Sequence, residues 1–256
     1  EKAEISLVRD GEVVTTYRVD LTLNLPKKAV VEQGIYPFPK HMAYVTPFRR
    51  SEETVPCRIS TLITLTKGQK QVDIVTEVDN QAEDHRLRAL FPTGMTTDAI
   101  DAECQFDVVQ RKIRRVDSSQ WFEDAFHTQP HRYFLDVNDG ENGLAIITKG
   151  THEYEYLDYE NRTIAVTMLR CLRTGPESRT DPLEPGAQTL GRHTFHFAIY
   201  PHAGNWEQGN VYEQTYRKHV PLRVAQLRAN QGDLPKQLSF LELSPTTLVL
   251  STIKLS

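Results

Sequence analysis

The chain has 256 residues, of which 39% are hydrophobic and 25% charged, a composition typical of globular domains. Its formal net charge is −4 with both signs interspersed, which argues against a nucleic-acid partner, because nucleic acid requires a clustered basic face. No apolar run is long enough to cross a bilayer, so we expect no membrane contact. Cysteine is sparse and odd in number, which favours a reducing, cytoplasmic location: Cys57, Cys104 and Cys171.

Alternating apolar and polar residues dominate from the N-terminus onward. The first two strand patterns flank Asp10-Gly11, the strongest short hairpin signal. In the second pattern, every other residue from Tyr17 to Leu25 is apolar, which predicts a half-buried strand. A second hairpin is predicted where residues 58–66 and 71–79 flank Lys67-Gly68.

Further strand patterns continue to the C-terminus, and one helix is predicted at about 206–219, before Pro221. The strand patterns are ECQFDVV, RYFLDV, GLAIITKG, HEYEYL, RTIAVTML, HTFHFAIY, QLSFLEL and TTLVLSTIKL. Many short strands with almost no helix predict an all-β fold: a large antiparallel β-sandwich forming a single domain over residues 1–256. Residues 30–56 and 173–192 break the pattern with Pro, Gly and charge, which predicts functional loops or docking surfaces.

The most polar strand end is the stretch NQAEDHRLR, residues 80–88. Carboxylates, an imidazole and guanidiniums in one corner are compatible with a substrate contact or with a salt-bridged structural clamp. Asn80 suits a turn, and a charge-assisted pair of Asp84 with Arg86 would fix the entry of the next strand. The structural clamp is the favoured interpretation, and His85 is kept as a candidate for contact with substrate.

The sequence contains no complete local motif for a metal site or for a catalytic nucleophile. His127 and His131 have the spacing of two ligands on a helix, but Pro130 interrupts any helix there. His193 and His196 are three apart in a strand and so face opposite sides. No GxSxG or phosphate-binding glycine motif is present. We therefore predict no metal site in this chain, whereas a pair of catalytic carboxylates from distant strands stays open at this point.

Five sequence blocks together resemble one known family. They occur in this order: VDNQAEDHRLRALFPTG (78–94), FDVVQR (106–111), FLDVNDGENGLAIITKGTHEYEY (134–156), TMLRCLRTG (167–175) and GAQTLGRHTFHFAIYPHAGNW (186–206). They resemble the C-terminal β-domain of bacterial α-mannosidases and mannosylglycerate hydrolases, glycoside hydrolase family 38. The resemblance runs across nearly the whole chain and implies a super-sandwich of the galactose mutarotase type.

The resemblance also implies where the chemistry lies. In the family, a zinc ion and an attacking aspartate belong to an N-terminal catalytic domain, and neither has a counterpart in this sequence. The chain is therefore expected to be a C-terminal fragment of a longer retaining, zinc-dependent α-mannosidase. It would bind no cofactor itself, would be inactive alone, and would have that N-terminal domain and an α-mannoside as partners.

Arginines at strand ends are the candidates for the rim of the sugar site. Arg170 ends an apolar strand pattern beside a Pro/Gly-rich loop, where it could clamp a sugar hydroxyl or a partner carboxylate. Family members carry Arg at the corresponding strand end near the sugar site, so the resemblance points the same way. An equally weighted alternative is a solvent-exposed ion pair with Asp181 or Glu177. Arg111 and Arg173 are weaker candidates of the same kind.

Two other functions stay open at this point. A self-sufficient carbohydrate-binding or aldose-mutarotase-like sandwich could use His193, His196 and Glu155 as acid and base. A pure interaction module would instead expose an apolar patch where a partner domain docks, and this patch would also support a homodimer.

Overall fold

A computed structural model describes residues 2–31, 48–113, 117–121, 125–158, 161–171, 185–229, 231–245, 248, 250 and 252–255. The chain divides into two units, Glu1–Val220 and Pro221–Ser256. In the first unit the described strands are β1 (Glu4–Asp10), β2 (Val14–Pro26), β3 (Ala29–Val31), β4 (Phe48–Arg50), β5 (Thr54–Thr66), β6 (Val72–Asn80), β7 (Arg86–Pro92), β8 (Ala99–Cys104), β9 (Asp107–Lys112), β10 (Gln129–Pro130), β11 (Phe134–Asn138), β12 (Asn142–Lys149), β13 (Glu153–Leu157), β14 (Thr163–Arg170) and β15 (Gly191–Ala203).

The strands form two large antiparallel sheets and one small hairpin. Nine strands make the larger sheet, in the order β1-β2-β5-β6-β15-β12-β11-β8-β9. Four strands make the second sheet, in the order β10-β13-β14-β7, and β3 pairs with β4. Every pairing is antiparallel. The predicted all-β antiparallel fold is therefore confirmed.

Both predicted hairpins form at their turn signals. Asp10 and Gly11 lie where β1 turns into β2, and β2 runs on with Tyr17 and Leu23 on its apolar face. Lys67 and Gly68 connect β5 to β6, and Gly68 has a φ of 83°, a left-handed conformation that glycine adopts without strain. The register is fixed because a shift by one residue would turn each apolar face to water.

The main core lies between the nine-stranded and four-stranded sheets. Ile100, Leu135 and Phe197 from the larger sheet pack with Tyr154 and Val166 from the smaller one. All are at most 2% exposed, and each fully buried side chain of this size contributes roughly 1.5–3 kcal/mol. This packing of two inner faces makes the fold a sandwich.

The larger sheet is buried on its other face as well, at β11, β12 and β15. There Phe134, Ile147 and Tyr200 pack beneath helix α1 (Val211–His219), which contributes the buried Val211. This explains why every residue of FLDV (134–137) and AIIT (145–148) is buried, whereas burial alternates along a half-buried strand. None of the helices in the described part of the chain has the length and apolar character needed to cross a bilayer.

Two predicted elements differ from the structure. ECQFDVV is not one strand, because the chain turns at Gln105 and Phe106 and returns as β9. Phe106 adopts a φ of 65°, so this turn lacks the glycine that would have marked it in the sequence. The helix begins at Val211 and not near 206, because Asn210 precedes it in a left-handed conformation.

Two more strands were predicted in the second unit, Pro221–Ser256. The described residues of that unit contain bends and no strand, although leucines alternate with polar residues in QLSFLEL. A strand is stabilised by pairing with a neighbouring strand, and the alternating pattern alone does not supply that neighbour.

Candidate functional site

The corner between β6 and β7 is held by side-chain hydrogen bonds. The Asn80 side chain is fully buried, donates to the carbonyl of Thr189 at 3.0 Å, and accepts from the backbone N–H of Ala82 at 3.1 Å. Since Thr189 follows the short 3-10 helix Pro185–Gln188, this corner ties the start of β15 to the end of β6.

Asp84 fixes the same corner, but not through Arg86 as the sequence predicted. Its two carboxylate oxygens accept from the backbone N–H of Ala29 at 2.9 Å and from Nε2 of Gln188 at 2.8 Å. The guanidinium of Arg50 donates to the Asp84 carbonyl at 2.6 Å. The structural clamp therefore exists, with partners that come from distant parts of the chain.

His85 lies next to this clamp with its imidazole turned inward. Both ring nitrogens are buried and have no hydrogen-bond partner among the described residues, and burial lowers the pKa of the ring. The His85 carbonyl accepts from the N–H of Cys171 at 2.8 Å. The imidazole is therefore neutral near pH 7, and its contact with substrate stays a prediction.

A charged cluster covers the outer face of the four-stranded sheet. Arg88 Nη1 donates to Glu155 Oε2 at 2.8 Å, and Arg86 lies within 3.8 Å of both Glu153 and Glu155. The carboxylates alternate with Tyr154 along β13, which puts the acids outside and the aromatic ring in the core. We call Arg86, Arg88, Glu153, Glu155 and Arg170 the outer charge cluster.

Arg170 belongs to this cluster. Its Nη1 donates to Glu153 Oε2 at 2.8 Å, and the same carboxylate accepts from the hydroxyl of Thr167 at 2.7 Å. The guanidinium therefore pairs with a carboxylate of the adjacent strand, while its side chain stays 53% exposed. The alternative partners predicted for it, Asp181 and Glu177, lie outside the described residues, as does Arg173.

Arg111 lies apart from Arg170 and lines a cavity of about 600 Å³ beside β13. Its guanidinium donates to the Pro130 carbonyl at 2.9 Å and to the Tyr154 hydroxyl at 3.3 Å. His127 and Glu155 line the same cavity, with His127 Nδ1 at 3.5 Å from Glu155 Oε1. Arg111 and Glu155 thus line the same cavity, a proximity that the resemblance did not predict.

The acid and base proposed for a mutarotase-like sandwich have separate partners. Glu155 contacts arginines of β7, whereas His193 Nε2 lies 2.9 Å from the Thr189 carbonyl. His196 sits three residues along β15, opposite Val75 and Lys149, on the other face of the sheet. No observation on these three residues favours a shared acid–base pair.

The described residues do not fit a zinc site. No group of three or more His, Cys, Asp or Glu side chains among them is placed to hold a metal ion. His131, one of the two histidines with ligand spacing, is buried, and its Nε2 lies 3.0 Å from the Thr148 hydroxyl. Burial, with smaller contributions from His152 and Arg111, lowers the pKa of His131 to about 3. No step of metal chemistry is derived from these residues.

Sequence reasoning missed the outer charge cluster as a unit. The pattern HEYEYL was assigned to a strand, and its alternation already places Glu153 and Glu155 on one face. What the pattern could not supply is the partner strand, since β14 pairs with both β13 and β7 and thereby brings Arg86 and Arg88 to these carboxylates.

The fold and these surfaces define an antiparallel β-sandwich module with polar clusters on its faces. Residues 3–176 match the family model "Glycosyl hydrolases family 38 C-terminal domain". The chain therefore belongs to glycosyl hydrolase family 38, where it corresponds to the C-terminal domain.

Three similar proteins bear this out. The chain is 30% identical over 256 residues to a "Putative mannosylglycerate hydrolase" of Halalkalibacterium halodurans, covering 99% of this chain and 28% of that protein. It is 24% identical over 197 residues to "Alpha-mannosidase 2C1" of Mus musculus, covering 77% and 17%. The crystal structure of an α-mannosidase from Enterococcus faecalis V583 superposes with a TM-score of 0.76 at 29% identity, covering 91% of this chain and 26% of that one. The chain thus spans less than a third of the length of each.

Proposed function

We propose that this chain is the C-terminal β-sandwich of a longer, retaining, zinc-dependent α-mannosidase. In this account an N-terminal catalytic domain of the same polypeptide holds the zinc ion and the attacking carboxylate, and this chain supports that domain. The family match over residues 3–176, with 28% and 26% of two relatives covered, is the observation that carries the proposal. The names of those relatives support α-mannosides as the substrate class.

An exposed apolar face supports the proposal that another domain docks on this chain. On the core-facing side of the larger sheet, Leu7 of β1 lies opposite Tyr17 of β2, and these two side chains are 48% and 45% exposed. Leu65 of β5 lies on the same side and is 54% exposed. Apolar patches of this kind mark interaction surfaces. We assign this face to the catalytic domain, because most of the length of the relatives lies outside the part that this chain covers.

The rim candidates keep their proposed role. Arg170 ends β14 with half of its side chain exposed, so one side of its guanidinium is available to a sugar hydroxyl while Glu153 holds the other. Arg111, Arg173 and His85 are proposed with it as the further rim candidates. A cytoplasmic location is supported by three cysteines that are all free, two of them buried.

A charge introduced on the apolar face tests the docking proposal. In the longer polypeptide, Leu7→Asp is expected to lower aryl α-mannoside hydrolysis by more than about tenfold, since a carboxylate cannot be buried unpaired in an interface. Ser6→Asp is the matched control, because it adds the same charge one residue away on the opposite face of β1. Equal activity of the two variants would contradict the proposal. If light scattering shows that the 256-residue chain pairs through this face, a second copy and not the catalytic domain is its partner.

A further inference from the structure

We propose that the cavity lined by Arg111 binds a small anionic carbohydrate, a hexose that carries a carboxylate or a phosphate. The inference goes beyond the proposed function and does not rest on it, because it concerns binding by this chain alone.

Arg111 supplies a cation that no described carboxylate neutralises. Its three hydrogen bonds go to the Pro130 carbonyl, the Tyr154 hydroxyl and the Cys104 sulfur, all of which are neutral acceptors. A guanidinium has five N–H donors, so two remain for a ligand. Lys112 also borders the cavity, but it is the next residue of β9, so its side chain points to the opposite face of the sheet from that of Arg111. The guanidinium of Arg111 is therefore the cation that faces the cavity.

The Glu155 carboxylate also lines the cavity, but it does not neutralise the positive charge of Arg111. Its Oε2 accepts from Arg88 at 2.8 Å and lies 3.7 Å from Arg86, so two arginines outside the cavity balance it. Among the described residues, the lining of the cavity thus keeps a net positive charge. An anionic group on the ligand fits it better than a cation or a wholly neutral molecule, and a guanidinium binds carboxylate or phosphate through two parallel bonds.

The rest of the lining suits a hydroxylated ring. Among the described residues, no hydrogen bond reaches Glu155 Oε1, which lies 3.5 Å from His127 Nδ1, so this oxygen can accept from a ligand hydroxyl. The side chain of Gln129 adds a donor and an acceptor. Phe126 is 70% exposed and offers an aromatic face to the C–H side of a sugar.

The size of the cavity agrees with this class of ligand. About 600 Å³ lies within the range of small-molecule sites, roughly 300–1,000 Å³. The rings of Tyr154 and Tyr156 form buried parts of its wall, and their positions are fixed by the core between the two sheets. Arg111, Glu155 and the two tyrosines are therefore held by strands, whereas Phe126 and His127 lie in the segment before β10.

Calorimetric titration of the 256-residue chain with three matched sugars tests the proposal. Glucose, glucuronate and glucose 6-phosphate share one ring and differ in the charge at one carbon, and inorganic phosphate controls for the anion alone. We expect saturable binding of glucuronate or glucose 6-phosphate at or below about 1 mM, weakened by salt, with glucose and phosphate at least about tenfold weaker. Binding of glucuronate would show that the cavity recognises a carboxylate, and binding of glucose 6-phosphate would show that it recognises a phosphate.

Substitutions in the cavity test whether it is the binding site of the charged sugar. Arg111→Gln is expected to weaken binding by about tenfold, because it removes a charge-assisted contact. Phe126→Ala tests the ring contact, and it keeps the proposal testable if Arg111→Gln does not fold. Arg18→Gln, at an exposed position of β2, is the matched control and should bind as the parent does. No binding of either charged sugar up to about 10 mM, equal binding of glucose or phosphate, or unchanged affinity in both Arg111→Gln and Phe126→Ala would overturn the proposal.

Discussion

His202 Nε2 lies 2.6 Å from Asp136 Oδ2, and the two side chains are 1% and 0% exposed. Asp136 comes from β11 and His202 from β15, on either side of β12. Asn138 donates to the other oxygen of Asp136 at 2.9 Å and to Asp101 at 3.3 Å, so a buried polar network fixes three strands of the larger sheet. Burial acts to lower the pKa of His202, but the hydrogen bond to Asp136 and its charge outweigh it, and the pKa is raised.

The first prediction concerns pH. Because the pKa of His202 is raised on folding, the stabilisation from this pair is complete below the unfolded value of 6.5 and is lost as pH rises through the folded value. The parent protein should therefore lose more free energy of unfolding between pH 6 and pH 9 than His202→Gln does. Urea unfolding at the two pH values measures this, and an equal loss in both proteins would contradict it.

The second prediction concerns the carboxylate of the same pair. Asp136→Asn leaves His202 buried without its counter-charge, which should lower the free energy of unfolding by about 3–5 kcal/mol at pH 6. Asp139→Asn, in the exposed turn after β11, is the matched control and should leave the free energy of unfolding nearly unchanged. If the two substitutions cost the same, the buried pair does not fix these strands.

The third prediction concerns the glycines that receive the His202 ring. A Cβ atom added to Gly143 or Gly209 would collide with that imidazole. Gly143→Ala should therefore destabilise the protein by about 1–3 kcal/mol through overpacking. Gly186→Ala meets nothing within 4 Å and should stay within about 0.5 kcal/mol of the parent. Thermal unfolding of both variants compares them, and equal midpoints would show that the ring can move aside.

Local signals in the sequence predicted much of this fold. Asp10-Gly11 and the alternation from Tyr17 to Leu25 specify a hairpin through contacts between near neighbours, so they are readable without knowing the rest of the chain. The turn at Phe106 was missed because its left-handed residue is a phenylalanine, which has no preference for that conformation.

The candidate site was less predictable because its contacts are between distant residues. Arg86 was paired with its neighbour Asp84, whereas the structure places it beside carboxylates of β13, nearly seventy residues along the chain. Alternation says which face of a strand a charge occupies, but not which strand lies next to it. The buried pair of His202 with Asp136 escaped notice for the same reason, since a third strand separates its members.

The fourth prediction concerns the outer charge cluster. Arg88 and Glu155 are partly buried, at 23% and 16% exposure, so a double-mutant cycle with glutamine at both positions should give a coupling above about 1 kcal/mol. The exposed pair of Arg217 with Glu213 in α1 is the matched control, with an expected coupling of about 0.3–0.5 kcal/mol. Equal couplings would mean that the cluster is an ordinary solvated surface.

Zinc-dependent hydrolysis tests the central claim most directly. The purified 256-residue chain and the longer polypeptide would be assayed with an aryl α-mannoside while zinc is added or removed with a chelator. The account predicts no turnover by the chain at any zinc concentration, and turnover by the longer polypeptide that the chelator abolishes and zinc restores. Zinc-dependent turnover by the 256-residue chain alone would contradict the account, because it would place the metal and the attacking group within these strands.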